Sequence, residues 1–302
     1  MLRLSLNRLK YAPFFTQLVV MRRCNLSCGY CNEYDKTSEP VPLEILKERL
    51  QKLKSLGTYT LGLTGGEPTL HPDLPELIRY SRYDLKFLRT TMITNGFFLT
   101  QELIEKLNDS GLQILQISID GVKPNDVTVK VLDSLRRRLQ LLKDHAEFKI
   151  VVSGVVGSCP PEESFEVIEY AKSMGFQPRV LLIHGPDGQV KLSSGELAVY
   201  ERIKKLIKKH VYDPSDYKDR IIEEGSAPFK CRAGSRYLYV DENGIVNWCS
   251  QTRKFFAKPL MEYSHQDLRE QFYSFKSCQD RCTLGCVRNS SYFDQWRKQE
   301  SA

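Results

Sequence analysis

Apolar runs and amphipathic helical patterns alternate along residues 16–183 of the chain. Strands are predicted where β-branched and other apolar residues run together between turn residues, and helices where leucines recur every three or four positions. The predicted strands span residues 16–21, 60–64, 89–94, 112–119, 148–156 and 179–183. The predicted helices span residues 43–53, 74–83, 100–108 with Thr100 as N-cap, and 127–144, and a further helix begins at Pro161.

This order of strands and helices favours an α/β fold in which a parallel sheet carries helices on its outer side. A closed eight-stranded barrel takes about 250 residues, so the alternating stretch is too short for one. In parallel barrels the groups that do chemistry lie at the C-terminal ends of the strands. The residues that follow each predicted strand are therefore the candidates for a site.

Three cysteines follow the first predicted strand with the spacing Cys-x3-Cys-x2-Cys, at Cys24, Cys28 and Cys31. Three thiolates on one short loop can hold three irons of a four-iron cluster and leave the fourth iron open. The alternative is a zinc knuckle, but zinc sites usually pair ligands as Cys-x2-Cys with a distant second pair.

A glycine-rich turn, Gly65-Gly66-Glu67-Pro68, follows the second predicted strand. Two glycines let the main chain approach a ligand without Cβ obstruction, and Pro68 fixes the direction in which the chain leaves. Alone, this turn is compatible with any surface loop. Because the turn lies one strand–helix unit after the cysteine loop, the two motifs are predicted to form one site.

The cysteine spacing, the aromatic Tyr30 before the last cysteine and the Gly-Gly-Glu-Pro turn together resemble the radical S-adenosylmethionine (radical SAM) enzymes. The resemblance implies a partial (βα)6 TIM-like barrel and a catalytic 4Fe-4S cluster whose open iron chelates the amino and carboxylate groups of S-adenosylmethionine. Reductive cleavage would then give methionine and a 5'-deoxyadenosyl radical. It further implies that Gly65, Gly66, Glu67 and Pro68 bind the methionine amino group, and that flavodoxin or ferredoxin donates electrons.

Polar residues at the other strand ends are further candidates. The resemblance implies ribose and carboxylate contacts of S-adenosylmethionine at Asn95, Ser118 and Asp120, although Asn95 and Asp120 precede glycines and also suit ordinary turns. Cys159 is a candidate hydrogen-atom donor of the kind used by radical epimerases, or a partly buried loop cysteine. His184 is a candidate proton acceptor or substrate anchor, or a hydrogen-bonded turn residue.

Five cysteines lie in the C-terminal part, at Cys231, Cys249, Cys278, Cys282 and Cys286. Two apolar strands around Asn243-Gly244 predict a β-hairpin between the first two, and the last three, four residues apart, are predicted to project to one side of a helical turn. This layout resembles the SPASM and twitch extensions of radical SAM enzymes. It implies one auxiliary 4Fe-4S cluster, held by Cys231, Cys249 and two of the other three. A structural zinc site is the alternative.

The predicted organisation is a radical SAM partial barrel at residues 1–190, a helical connector at 191–225 and a β-hairpin/helix iron-sulfur extension at 226–302. The net charge of +7 comes from 44 Lys and Arg against 37 Asp and Glu. The basic runs 136–138 and 204–209 lie opposite apolar helix faces, so no nucleic-acid partner is expected. Without an apolar run of about 18 residues or a signal peptide, no membrane insertion is expected and a cytoplasmic location is predicted.

These features predict an enzyme that cleaves S-adenosylmethionine and abstracts hydrogen from a substrate C–H bond, giving oxidation, epimerisation or bond formation. About twenty residues precede the cysteine loop, which leaves no room for a fused peptide-binding domain and favours a small metabolite such as a sugar, cyclitol or lipid. The alternative substrate is a ribosomally made precursor peptide. A function of a different class, that of a non-catalytic iron-sulfur electron carrier, would also explain these cysteines.

Overall fold

The computed structural model describes residues 10–183, 190–207, 216–253 and 255–292. The described strands form one nine-stranded sheet in the order β6-β5-β4-β3-β2-β1-β7-β8-β9. The strands are β1 (Phe15–Met21), β2 (Thr60–Gly65), β3 (Arg89–Thr94), β4 (Ile114–Ile119), β5 (Lys149–Val156), β6 (Gln177–Leu182), β7 (Tyr237–Val240), β8 (Ile245–Asn247) and β9 (Lys258–Pro259).

Strands β1 to β6 are parallel and lie side by side in chain order, as the alternating pattern predicts. The partner of β1 on its other side is β7 rather than β6, so the described sheet curves without closing. The prediction of an α/β partial (βα)6 barrel is therefore confirmed.

Helices connect the parallel strands and cover one face of the sheet. Their leucines are buried as the periodicity predicts; α4, for example, buries Leu132, Leu135, Leu139 and Leu142. The helices are α1 (Leu43–Ser55), α2 (Leu74–Arg79), α3 (Gln101–Asp109), α4 (Leu132–His145), α5 (Pro161–Ser173), α6 (Ser194–Leu206), α7 (Asp216–Glu224), α8 (His265–Tyr273) and α9 (Gly285–Tyr292).

Two boundaries differ from the predicted ones in ways that matter for the site. Helix α4 begins at Leu132 instead of residue 127, because the preceding residues pair with other loops: Gly29 N–H donates to the carbonyl of Val127, and Asp120 N–H to that of Lys130. The helix predicted for 74–83 ends at Arg79 and continues as a wider π turn over Tyr80–Asp84.

The predicted hairpin is present, and it extends the barrel sheet. Strands β7 and β8 pair antiparallel around a turn at Gly244, whose φ of +78° suits glycine. Strand β7 also pairs parallel with β1. The C-terminal segment therefore joins the barrel through backbone hydrogen bonds.

The prediction that Cys278, Cys282 and Cys286 share one helical turn is wrong. A short 3-10 helix spans Gln279–Arg281, and Cys282 directly after it is extended, with φ −65° and ψ 121°. Helix α9 begins only at Gly285, where an added Cβ would lie 2.7 Å from the guanidinium of Arg179. Packing of the chain against β6 thus separates the three cysteines into two local structures.

The basic runs lie on solvated faces where the structure describes them. Arg136 pairs with Asp133 and Glu166, and Lys204 pairs with Glu201 and Asp219. Lys208 and Lys209 lie outside the described residues. Among the helices of the described ranges, none combines the length and apolar character that crossing a bilayer requires.

Candidate active site

The cysteine loop and the glycine turn are held together by their main chains. Gly66 N–H donates to the carbonyl of Met21 at 2.9 Å, and Glu67 N–H donates to that of Arg23 at 3.0 Å. A Cβ on Gly66 would overlap the carbonyl oxygens of Arg22 and Arg23. The close approach therefore requires glycine, and it fixes the cysteine loop at the C-terminal ends of β1 and β2.

A cavity lies at these strand ends, and most of the residues predicted to hold the catalytic cluster and S-adenosylmethionine line it. The three cysteines of the loop meet the glycine turn and the ends of β3 and β4 there. Lining residues predicted from the sequence are Cys24, Cys28, Tyr30, Cys31, Gly65, Gly66, Glu67, Asn95 and Ser118. Pro68 is buried just behind the turn and opens a short 3-10 helix.

Glu67 is the most enclosed polar residue of this cavity, at 1% exposure. One carboxylate oxygen accepts hydrogen bonds from the hydroxyls of Thr69 at 2.5 Å and Thr94 at 2.6 Å, and the other accepts from Asn95 N–H at 2.8 Å. Burial raises the pKa of Glu67, while these donors act in the opposite direction. The side chain ties the glycine turn to the end of β3.

Asn95 joins the end of β3 to the cysteine loop. Its amide nitrogen donates to the side-chain oxygen of Asn25 at 2.8 Å and lies 3.7 Å from the sulfur of Cys24. Its amide oxygen accepts from Phe97 N–H at 3.0 Å, as expected for an Asn-Gly turn. Both the turn role and the site role predicted for Asn95 are therefore compatible with its contacts.

Asp120 and Tyr30 are brought together, although they are far apart in sequence. Tyr30 OH donates to a carboxylate oxygen of Asp120 at 2.6 Å, and Thr128 donates to the same oxygen at 2.7 Å. Asp120 is fully buried and is absent from the cavity lining. Its contacts support the cysteine loop from behind.

The residues that form this cavity lie within the range matched by a protein-family model. A model described as the radical SAM superfamily matches residues 18–191, more than half of the 302-residue chain. The chain belongs to the radical SAM superfamily. The matched range contains the cysteine loop, the glycine turn, the end of β1 and the whole of β2 to β6.

Curated proteins resemble the chain over different lengths. The AdoMet-dependent heme synthase of Methanosarcina barkeri is 32% identical over 160 residues, which cover 50% of this chain and 45% of that protein. The PqqA peptide cyclase of Bradyrhizobium diazoefficiens is 32% identical over 136 residues, covering 43% and 35%. The chain thus spans less than half the length of either relative.

A solved structure shares the fold over most of the chain. SuiB of Streptococcus suis, bound to its precursor peptide SuiA, has a TM-score of 0.65 and 17% identity, and the match covers 95% of this chain and 73% of SuiB. At this identity the likeness establishes a common fold.

The residues predicted for later steps lie elsewhere or outside the described ranges. Cys159 is 8% exposed, accepts a hydrogen bond from Asn125 at 3.3 Å, and packs so closely on Gly121 that an added Cβ there would lie 2.5 Å from its sulfur. It is absent from the cavity lining. His184 lies outside the described residues.

The C-terminal cysteines form a second group beneath β7. Cys231 and Cys249 are 4% and 7% exposed, and they pack with apolar residues such as Val19 and Val287. Burial raises the pKa of Cys249 to about 12, with smaller contributions from neighbouring Cys231 and Cys278.

Two further thiols of this group have different neighbours. Burial also raises the pKa of Cys282, which has Cys231 and Cys249 as neighbours. The thiol of Cys286 instead faces Tyr237, with which it hydrogen-bonds, and the guanidinium of Arg179.

Both groups suit iron–sulfur clusters in the type of donor that they offer. Thiolates are the usual protein ligands of such clusters, and each thiolate binds a different iron, so the sulfurs need not converge on one point. Over the described ranges, no three His, Cys, Asp or Glu side chains converge closely enough for a single metal ion.

Sequence reasoning missed three residues that contact the site from the segment before α4. Thr128 and Lys130 lie inside the helix predicted for 127–144, and Asn125 lies just before it, so none of the three was considered as a site residue. Thr128 Oγ1 lies 3.8 Å from the sulfur of Cys28, and Lys130 lines the cavity. The available sequence signal was Pro124, which favours an extended segment or a turn over a continuous helix.

Proposed function

We propose that the chain is a radical SAM enzyme in which Cys24, Cys28 and Cys31 hold the catalytic 4Fe-4S cluster. When bound, this cluster would supply the electron that cleaves the C–S bond of S-adenosylmethionine to give methionine and a 5'-deoxyadenosyl radical. The observation that carries the proposal is the fixed contact of the cysteine loop with the glycine turn at one cavity.

The residues around the cavity have separate tasks in this proposal. Gly65 and Gly66 let the main chain approach the methionine end of the cofactor, and Glu67 holds this turn against β3 while offering negative charge to the amino group. Ser118 and Asn95 face the same space from neighbouring strand ends and supply polar contacts. The buried leucines beneath them keep water out of the barrel interior.

We also propose an auxiliary 4Fe-4S cluster held by Cys231, Cys249, Cys278 and Cys282. These four thiols neighbour one another, whereas the thiol of Cys286 is engaged with Tyr237. Four thiolates would close a cubane completely, so this cluster suits electron transfer or structural support.

Two buried cations support an anionic group at this second position. Lys276 and Arg288 are 1% and 4% exposed. Lys276 donates to the carbonyl of Gln271 and the hydroxyl of Ser274, and Arg288 donates to the carbonyls of Ala227 and Cys282.

All of these acceptors are neutral, and Asp280 is a charged neighbour of Arg288 only. Burying a charge costs several kcal/mol, roughly, unless an opposite charge lies nearby. Cluster thiolates provide that charge, because they remain ionised when they bind metal.

The substrate proposed is a small metabolite whose C–H bond is oxidised, epimerised or joined to another group. A precursor peptide is the second candidate, and the similarity to the PqqA peptide cyclase and to peptide-bound SuiB supports it. Cys159 would serve as hydrogen-atom donor only in an epimerisation. Its place behind Gly121 requires the substrate to reach beyond the described cavity.

The test is anaerobic reconstitution with iron and sulfide, reduction with dithionite, and chromatographic detection of 5'-deoxyadenosine. We expect S-adenosylmethionine to be cleaved and iron analysis to approach two cubanes per chain. A non-catalytic electron carrier would show redox-active clusters without cleavage, and a zinc protein would be colourless. Deuterium transfer from labelled candidate metabolites or peptides into 5'-deoxyadenosine then identifies the substrate class.

A further inference from the structure

A buried carboxylate and a lysine meet behind the cysteine loop. Lys130 Nζ donates to Tyr30 OH at 2.6 Å and lies 3.5 Å from Asp120 Oδ2. Tyr30 OH in turn donates to the same carboxylate oxygen at 2.6 Å. The side chain of Lys130 is 13% exposed, and that of Asp120 is fully buried. We call Tyr30, Asp120 and Lys130 the loop bracket.

The carboxylate of the bracket is satisfied on one side only. Its Oδ2 atom accepts from Tyr30 and Thr128 and faces Lys130, whereas Oδ1 has no hydrogen-bond partner within the described chain. Burying a carboxylate without an opposite charge is costly, so the ammonium of Lys130 is favoured beside Asp120. The lysine is thereby held in one place.

The position of Lys130 places its charge close to the thiols of the loop. It lines the same cavity as the three cysteines, and its ammonium lies 5.1 Å from the centre of the Tyr30 ring. Lys130 therefore favours negative charge at the loop.

We propose that Lys130 is a positioning residue whose fixed positive charge, held by Asp120 and Tyr30, raises the reduction potential of the cluster on the cysteine loop. Reduction adds one negative charge to the cluster, and a nearby cation in a partly dry site stabilises the reduced form more than the oxidised form. This inference rests on the proposed catalytic cluster at Cys24, Cys28 and Cys31. It does not depend on the substrate.

The experiment is an electrochemical titration of the reconstituted protein, followed by electron paramagnetic resonance, without S-adenosylmethionine. To remove the second signal, the proposed auxiliary cluster is eliminated with the substitutions Cys231→Ala and Cys249→Ala in every sample. Lys130→Met is expected to lower the midpoint potential of the cluster by at least about 59 mV. For a one-electron reduction, this shift is a tenfold change in the equilibrium constant. Lys130→Arg keeps the charge and is expected to stay near the parent value.

Two further variants separate charge from loop structure. Lys123→Met removes an exposed lysine from the same segment and is expected to leave the potential unchanged. Asp120→Asn removes the opposing negative charge and is expected to shift the potential upward. Shifts of Lys130→Met and Asp120→Asn in the same direction would show that loop disorder is responsible, and would overturn the proposal.

The iron content of each variant is measured together with its potential. A fully iron-loaded Lys130→Met variant with the parent potential overturns the proposal. If Lys130→Met loads poorly, restored loading and potential in Lys130→Arg support it, and failure of both variants overturns it. Failure of the proposed function is distinct, because then the parent protein itself lacks a cubane signal once the C-terminal cysteines are removed.

Discussion

The two cysteine groups of this chain differ in their surroundings. The N-terminal loop, Cys24, Cys28 and Cys31, is built on main-chain contacts with a glycine turn and faces a cavity lined by polar strand ends. The C-terminal group contains two deeply buried cysteines, Cys231 and Cys249, which pack among apolar residues beside buried cations. The first site offers space beside its thiols, whereas the second encloses Cys231 and Cys249 and leaves Cys278 exposed.

Because their surroundings differ, the two cysteine groups can serve different functions with the same type of ligand. A three-cysteine loop leaves a metal position for another molecule, and the glycines leave room for that molecule beside the main chain. Four thiolates on one cubane leave no open iron, and the two most buried of them lie among apolar side chains. Radical chemistry is therefore proposed at the first group, and electron transfer or support at the second.

The largest effect is expected from removing one group at a time. Replacing Cys24, Cys28 and Cys31 by Ala should abolish S-adenosylmethionine cleavage, because no open iron remains. An iron–sulfur absorption spectrum from the second group should persist. The measurement is 5'-deoxyadenosine formation beside iron and sulfide analysis, and unchanged 5'-deoxyadenosine would falsify the assignment.

The reciprocal change removes cysteines of the C-terminal group and keeps the N-terminal loop. Cys231→Ala with Cys249→Ala should remove about one cubane per chain while dithionite-driven cleavage of S-adenosylmethionine continues. Cys286→Ala is the matched control, since its thiol faces Tyr237, and it should keep the full iron content. Loss of a cubane in the control, with none lost in the double variant, would reverse the ligand assignment.

A smaller effect is expected at the glycine turn. Glu67→Ala should weaken S-adenosylmethionine binding by about 1.5–3 kcal/mol, the range for a lost hydrogen bond to a charged group. Isothermal titration calorimetry of the reconstituted protein measures this change. Glu76→Ala removes an exposed glutamate paired with Arg79 and serves as the control. Binding equal in all three proteins would exclude Glu67 from the cofactor site.

The fold was largely predictable because the pattern of buried leucines and β-branched residues is local. Strand β3 (Arg89–Thr94) and the Thr100 cap of α3 were located from a few neighbouring residues. The pairing of β7 with β1 was not predictable, since nothing within either strand specifies a partner more than 200 residues away.

The site was predictable where a motif is contiguous and not where separate segments meet. Cys24 and Glu67 belong to short motifs, and the structure brings both to one cavity. Asp120 was interpreted as a cofactor contact, but its partner Tyr30 lies ninety positions earlier. Lys130 was missed because its segment was predicted as helix, and only the folded loop shows its neighbours.

The contact between the two regions gives the smallest predicted effect. Glu33, in the segment after the cysteine loop, accepts a hydrogen bond from Tyr239 OH of β7 at 2.7 Å. Burial raises the pKa of Glu33 to about 7, although Tyr239 and Arg22 act in the opposite direction. The unfolded chain has a glutamate pKa of about 4.3.

Between these two pKa values the folded protein binds a proton that the unfolded chain has released, so stability falls as pH rises through this window. Glu33→Gln removes the titration. Relative to the variant, the wild-type protein should therefore lose about 1 kcal/mol of unfolding free energy between pH 6 and pH 8, with most of the loss below pH 7. Urea unfolding of both reconstituted proteins at these pH values measures the difference. Parallel pH profiles would show that Glu33 is ionised between pH 6 and pH 8 in the folded protein, and that its contact with Tyr239 does not couple folding to protonation.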